Sequence, residues 1–154
     1  MSNPNPVPGT WGTDWLALCL ITEDNEPHAW PYLAEVILNR MKSPRYAATE
    51  REVVLQSQQF SRFNDLSDDL RERGTLPDVV HALKIDMTQF LAARRAVAAF
   101  LQRPHPLFSR RVLFFYAPGS MTNETKVPKW WKKEVANTIV IPQLTRWVFG
   151  EVAR

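Results

Sequence analysis

Seven apolar residues in succession, Trp15-Leu16-Ala17-Leu18-Cys19-Leu20-Ile21, carry neither glycine nor proline. A helix built from them is apolar on every side, so the pattern predicts a buried helix rather than a surface one. Thr13 or Asp14 supplies its cap. The run ends in polar residues, Thr22, Glu23, Asp24, Asn25 and Glu26, followed by Pro27. A second helix is predicted from about Trp30 to Met41, with Leu33, Val36, Ile37 and Met41 on one face and Glu35, Asn39, Arg40 and Lys42 elsewhere. Ser43-Pro44 stops it.

Thr49 with Glu52 three residues on is a capping-box pattern, opening a short helix through Val53, Val54 and Leu55. Gln56 to Gly74 reads as a polar, irregular excursion. Pro77 and Asp78 then open the longest helical pattern, with Val80, Leu83, Met87, Phe90, Leu91, Val97, Phe100 and Leu101 at helical spacing before Pro104. From Val112 the period changes. Val112 to Tyr116, Asn137 to Ile141 and Thr145 to Phe149 read as short strands between turn residues. The fold class is therefore α+β and mainly helical, with a small β element late in the chain.

The chain has 154 residues, 45% of them hydrophobic and 23% charged. That is enough apolar area for one core, and it excludes a disordered or fibrous chain. Residues 1–12, with Pro4, Pro6, Pro8 and Gly9, read as an extended lead-in, and 13–154 as a single domain. Cys19 is the single cysteine, so neither an internal disulfide nor a cysteine-based zinc site is expected. No window resembles a membrane span, and the polar, proline-rich start is unlike a signal peptide. These features lead us to expect synthesis in the cytoplasm without stable membrane insertion. Nineteen basic side chains against sixteen acidic give a net charge of +3, a mild bias toward polyanions.

Among candidate chemical groups, Glu23 stands out because the apolar run leads directly to it. Apolar packing and the negative end of a helix dipole both disfavour a carboxylate, so a carboxyl there is suited to keep its proton and act as a general acid. Periodicity alone favours the plainer reading, in which Glu23, Asp24 and Glu26 form a solvated loop. His28, His81 and His105 share no helix face, so no zinc motif is present. Phosphate-cradling glycine loops, a nucleophile elbow and a dinucleotide fingerprint are also missing from a chain with five glycines. No cofactor and no metal are expected. Tyr116 and Trp130, in an aromatic-rich last third, are candidates for stacking on sugar rings. Lys126, Lys129, Lys132 and Lys133 surround the Trp130-Trp131 pair, a basic segment more often a solvated face than a nucleic-acid grip.

Leu16 to Glu23, Glu26-Pro27 and Ala34-Glu35-Val36-Ile37-Leu38-Asn39-Arg40-Met41, then Val53-Val54 with Gln59-Phe60-Ser61, and Phe114-Phe115-Tyr116-Ala117-Pro118 with Trp130-Trp131, resemble in order the motifs of the SleB-type cell wall hydrolases. The resemblance covers residues about 15 to 150. It implies a lysozyme-like fold, similar to the goose-lysozyme and lytic-transglycosylase group, that cleaves the β-1,4 bond between N-acetylmuramic acid and N-acetylglucosamine. It places the catalytic acid at Glu23, reversing the reading from periodicity. Gln59, Ser61 and Tyr116 would contact sugar, Trp130 would line the groove, and Phe60 would wedge the Gln59–Ser61 segment in place.

The loop Glu23-Asp24-Asn25-Glu26-Pro27 is shorter than the family's Glu-Ala-Arg-Gly-Glu-Pro, and Ile141-Pro142-Gln143-Leu144 stands where a histidine-bearing ending is expected. A catalytic domain without export signal resembles phage endolysins, which accumulate in the cytoplasm and act on the wall after release. The partner implied is a peptidoglycan glycan strand, met by a monomer without nucleic acid. The alternative reading is a noncatalytic glycan- or nucleic-acid-binding protein using the basic aromatic segment.

Overall fold

The computed structural model describes residues 13–23, 26–46, 50–55, 63, 65–103, 105–121 and 126–153. The expected lead-in at 1–12, Asp24 and the Gln59-Phe60-Ser61 motif lie outside the described residues. Seven α-helices precede or flank a three-stranded antiparallel sheet among them, which is the mainly helical α+β architecture that the pattern predicts.

Helix α1 (Thr13–Glu23) is the axis of the core. Leu16, Ala17, Leu18, Cys19 and Leu20 are all buried, so the all-round apolar run is enclosed as expected. Around it stand α2 (Trp30–Lys42), α3 (Glu50–Leu55), α5 (Leu76–Ala82) and α6 (Met87–Leu101). Asp14 pairs with Arg94 of α6 at 2.8 Å, tying the start of α1 to the longest helix. Helix α2 runs one residue past its expected end and stops at Ser43, whose extended backbone (φ −91°, ψ 136°) precedes Pro44.

Two expectations about the helices need correction. The polar excursion contains a helix, α4 (Asp68–Arg73), capped by the Ser67 side chain accepting from Leu70 N. The Arg71 guanidinium donates to the carbonyls of Leu55 and Phe63 and so closes that excursion onto α3. The single helix expected from Pro77 to Pro104 is two helices. Leu76–Ala82 is opened by a complete capping box between Thr75 and Asp78. The chain then turns through Lys84, at φ 55°, and restarts where Asp86 accepts from Thr88 N and Gln89 N. A left-handed lysine is uncommon, so no glycine marks the break in the sequence.

Strand β1 (Val112–Tyr116) lies where predicted. Strand β2 is shorter than expected, Asn137–Ile139. Strand β3 is Val148–Glu151 rather than 145–149. Residues 141–147 form successive turns instead, with Leu144 N donating to Ile141 O and Trp147 N to Leu144 O. The sheet order is β1-β3-β2, which leaves the outer edge of β1 for α2. One turn of helix, α7 (Trp131–Glu134), packs Trp131 against the sheet. A Cβ on Gly150 of β3 would stand 2.6 Å from the Trp131 ring, so only glycine lets the strand pass beneath it.

Candidate functional site

Strand β1 carries a β-bulge: Val112 faces Glu151 and Phe114 faces Gly150, so Leu113 is the extra residue. In a regular strand successive carbonyls point to opposite edges, whereas a bulge lets two turn the same way. Helix α2 accepts that offer. Asn39 Nδ2 donates to Val112 O at 3.1 Å and to Ser109 O at 3.0 Å, and Arg40 Nε donates to Leu113 O at 2.7 Å. One turn earlier the Glu35 carboxylate accepts from Leu107 N at 2.8 Å and from Phe108 N.

This corrects the reading of α2 as an ordinary amphipathic helix. Of Glu35, Asn39, Arg40 and Lys42, the first three are buried, and Lys42 alone is exposed. They are inside because backbone groups some seventy residues away need partners there. Local periodicity cannot show such partners.

Arg40 is the electrostatic centre of this region. Its guanidinium lies 5.2 Å from the centroid of Tyr46 and 5.4 Å from that of Phe115, a stacked, desolvated cation. Burial pulls its pKa below the ordinary guanidinium value, while Tyr46, Cys19 and Glu23, in that order, oppose the shift. Cys19 and Glu23 are one turn apart on α1, so the last turn of the buried helix faces the α2 guanidinium. Glu23 is the final residue of α1 and half-buried. Sequence reasoning missed Arg40, although its place in the Asn39-Arg40 motif was the available signal.

Glu26, the other described carboxylate of that stretch, is exposed and 3.5 Å from His28 Nδ1. His28, His81 and His105 are all exposed and distant in sequence, in keeping with their surface reading. Tyr116 and Trp130 share one aromatic cluster. Tyr116 meets Trp131 edge-on at 4.7 Å, Trp131 lies 5.6 Å from Trp130, and Trp130 lies 5.0 Å from Phe114. Trp131 is buried, with Nε1 donating to Thr138 Oγ1 at 2.9 Å, while Trp130 is 44% exposed. Desolvation raises the Tyr116 phenol pKa above its usual value. Lys129, Lys132 and Lys133 are exposed around this ring.

Strand β1 joins the two groups of residues, since Phe115 stacks on Arg40 while its neighbours Phe114 and Tyr116 meet the tryptophans. Two cavities open at the surface. An apolar one of about 540 Å3 opens between α5 and α6 beside Leu76, Val80 and Phe90. A polar one of about 510 Å3 opens between α2 and the connection from α6 to β1. Glu23 lines neither.

A family model described as Cell Wall Hydrolase matches residues 28–148. The match takes in α2, the aromatic cluster, β1 and β2, ends at the first residue of β3, and begins five residues after Glu23. No curated protein and no solved structure matches the chain. The buried Asn39-Arg40 pair, the bulged β1 and the paired tryptophans all fall inside the matched stretch, and the chain belongs to the SleB-type cell wall hydrolase family.

Proposed function

We propose that this cell wall hydrolase degrades peptidoglycan by cleaving the β-1,4 bond between N-acetylmuramic acid and N-acetylglucosamine, with Glu23 as the acid. The observation that carries the reading is the position of Glu23: half-buried at the end of a helix whose central residues, Leu16 to Leu20, are enclosed, and within the electrostatic reach of the buried Arg40 cation. A module that merely binds glycan has no need for that arrangement.

In the proposed reaction Glu23 gives its proton to the bridging oxygen as the bond to the muramic residue breaks with oxocarbenium character. The proton leaves a carboxylate behind. Arg40, already held by Leu113 O and two aromatic faces, stabilises that negative charge as it develops without having to reorganise. The carboxylate then takes a proton from the nucleophile. Water yields a reducing muramic end, and the muramic C6 hydroxyl yields a 1,6-anhydro ring. Gln59 and Ser61 are proposed to bind sugar, with Phe60 as their wedge. Tyr116 and the exposed Trp130 are proposed to flank the glycan. Release from the cytoplasm to the wall, as in phage endolysins, is the proposed route to substrate.

Glu23→Gln keeps the side-chain shape and removes the transferable proton. Release of soluble fragments from purified peptidoglycan should fall to background while the unfolding midpoint stays close to that of the native protein. Undiminished release would assign the acid elsewhere. Exposed Lys129, Lys132 and Lys133 around Trp130 favour one other reading, noncatalytic binding to glycan or nucleic acid. Salt-sensitive DNA binding with no fragment release from peptidoglycan would establish it.

A further inference from the structure

The polar cavity between α2 and the α6–β1 connection is charged in an uneven way. Lys42, Arg103, His105 and Arg110 all line it, and all are exposed. Among the described residues none of the four takes part in an ion pair. The single carboxylate in the lining is Glu35, and its oxygens are already engaged by the backbone N–H groups of Leu107 and Phe108. Three permanent cations and an imidazole thus face one carboxylate, each of whose oxygens already accepts a backbone N–H. Unpaired cations around a concavity focus a positive field into it.

We infer that this cavity binds a phosphorylated sugar. The cations supply the phosphate pole, with Arg103 and Arg110 offering planar donor forks suited to phosphate oxygens. Leu38, Phe100, Leu101 and Pro106 also line it and supply apolar surface, which suits the carbon face of a sugar ring. A volume of about 510 Å3 has room for one such unit and favours a concave fit over contact with a flat membrane. The site is separate from the proposed reaction centre. Glu35, Asn39 and Lys42 follow one another along one side of α2, whereas Arg40, one residue on from Asn39, turns roughly 100° away toward α1. A phosphorylated glycan held here would anchor the enzyme to the envelope independently of the strand being cut.

Calorimetric titration of the full chain with N-acetylglucosamine 6-phosphate tests this, with N-acetylglucosamine, inorganic phosphate and vesicles of phosphatidylcholine and phosphatidylglycerol as comparison probes. The sugar phosphate should bind more tightly than either inorganic phosphate or the neutral sugar. The double variant Arg103→Ala, Arg110→Ala should weaken it about a hundredfold, because each lost guanidinium–phosphate contact is worth about a factor of ten. Both side chains are exposed, so that variant should keep the native unfolding midpoint and its activity on unphosphorylated peptidoglycan. The Glu23→Gln protein should bind the sugar phosphate like the native one, which keeps this test apart from that of the reaction. Absence of binding, binding unchanged in the double variant, equal binding of inorganic phosphate, or binding to vesicles alone would each overturn the assignment.

Discussion

Replacing Glu35 by glutamine separates the architecture of α2 from its charge. The native carboxylate accepts from Leu107 N at 2.8 Å and from Phe108 N, two amides in the connection that leads into β1. Glutamine has almost the same shape but a single acceptor oxygen, so one buried N–H loses its partner and faces an NH2 group instead. A hydrogen bond to a charged group is worth about 1.5–3 kcal/mol, and an orphaned buried donor is not compensated by the relief of burying one charge fewer. For a domain of this size about 1 kcal/mol moves the unfolding midpoint by roughly 2–4 °C, so Glu35→Gln should lower it by roughly 3–12 °C. Glu35→Ala loses both bonds and should cost about twice as much. Calorimetry gives the midpoint, and hydrogen exchange gives the place: the Leu107 and Phe108 amides should lose protection before those of α1. A glutamine variant with native midpoint and native protection at both amides would refute the idea that α2 positions β1 through its buried polar face.

Gly150→Ala forces a Cβ to within 2.6 Å of the Trp131 ring, so it should destabilise the fold by about 1–3 kcal/mol in a denaturant titration. Trp131→Ala, which empties a buried site, should cost about 3–5 kcal/mol. Trp130→Ala removes an exposed ring and should leave the midpoint nearly unchanged while raising KM on peptidoglycan if that ring meets the glycan. The Asp78 carboxyl is held below its ordinary pKa of 3.8, chiefly by the Thr75 backbone hydrogen bond and then by the Thr75 hydroxyl. A depressed carboxyl stabilises the folded state above its unfolded pKa, and that gain disappears as pH falls through the lower folded value. The midpoint difference between the native protein and Asp78→Asn should therefore be constant above about pH 5 and shrink steadily below pH 3.8.

The parts of this fold that local pattern specifies are those whose burial is continuous in sequence. Trp15 to Ile21 is apolar at every position, and the residues at its centre are enclosed on all sides, ending at Glu23 as the pattern indicates. Strand β1 is similarly legible from Val112 to Tyr116. What the pattern hides is determined at long range. Glu35, Asn39 and Arg40 look like solvent-facing residues until β1 and its approach present backbone groups to them. Lys84 ends a helix in a left-handed conformation with no glycine to announce it. Gly150 reads as the end of a strand, yet it lies inside β3 because Trp131 crosses above it. At the candidate site the helix pattern leaves Glu23 a solvated-loop residue and only the family resemblance singles it out, together with the half-buried Tyr116 and the exposed Trp130. The cation beside the carboxyl is a tertiary feature.

Mass spectrometry of the fragments released from purified peptidoglycan bears most directly on the chemistry assigned to Glu23. New muramic ends, reducing or 1,6-anhydro, should appear with the native protein and be missing with Glu23→Gln. Intact glycan strands accompanied by freed stem peptides or new amino termini would instead show that the bond cut is an amide, and that Glu23 does not perform the reaction proposed for it.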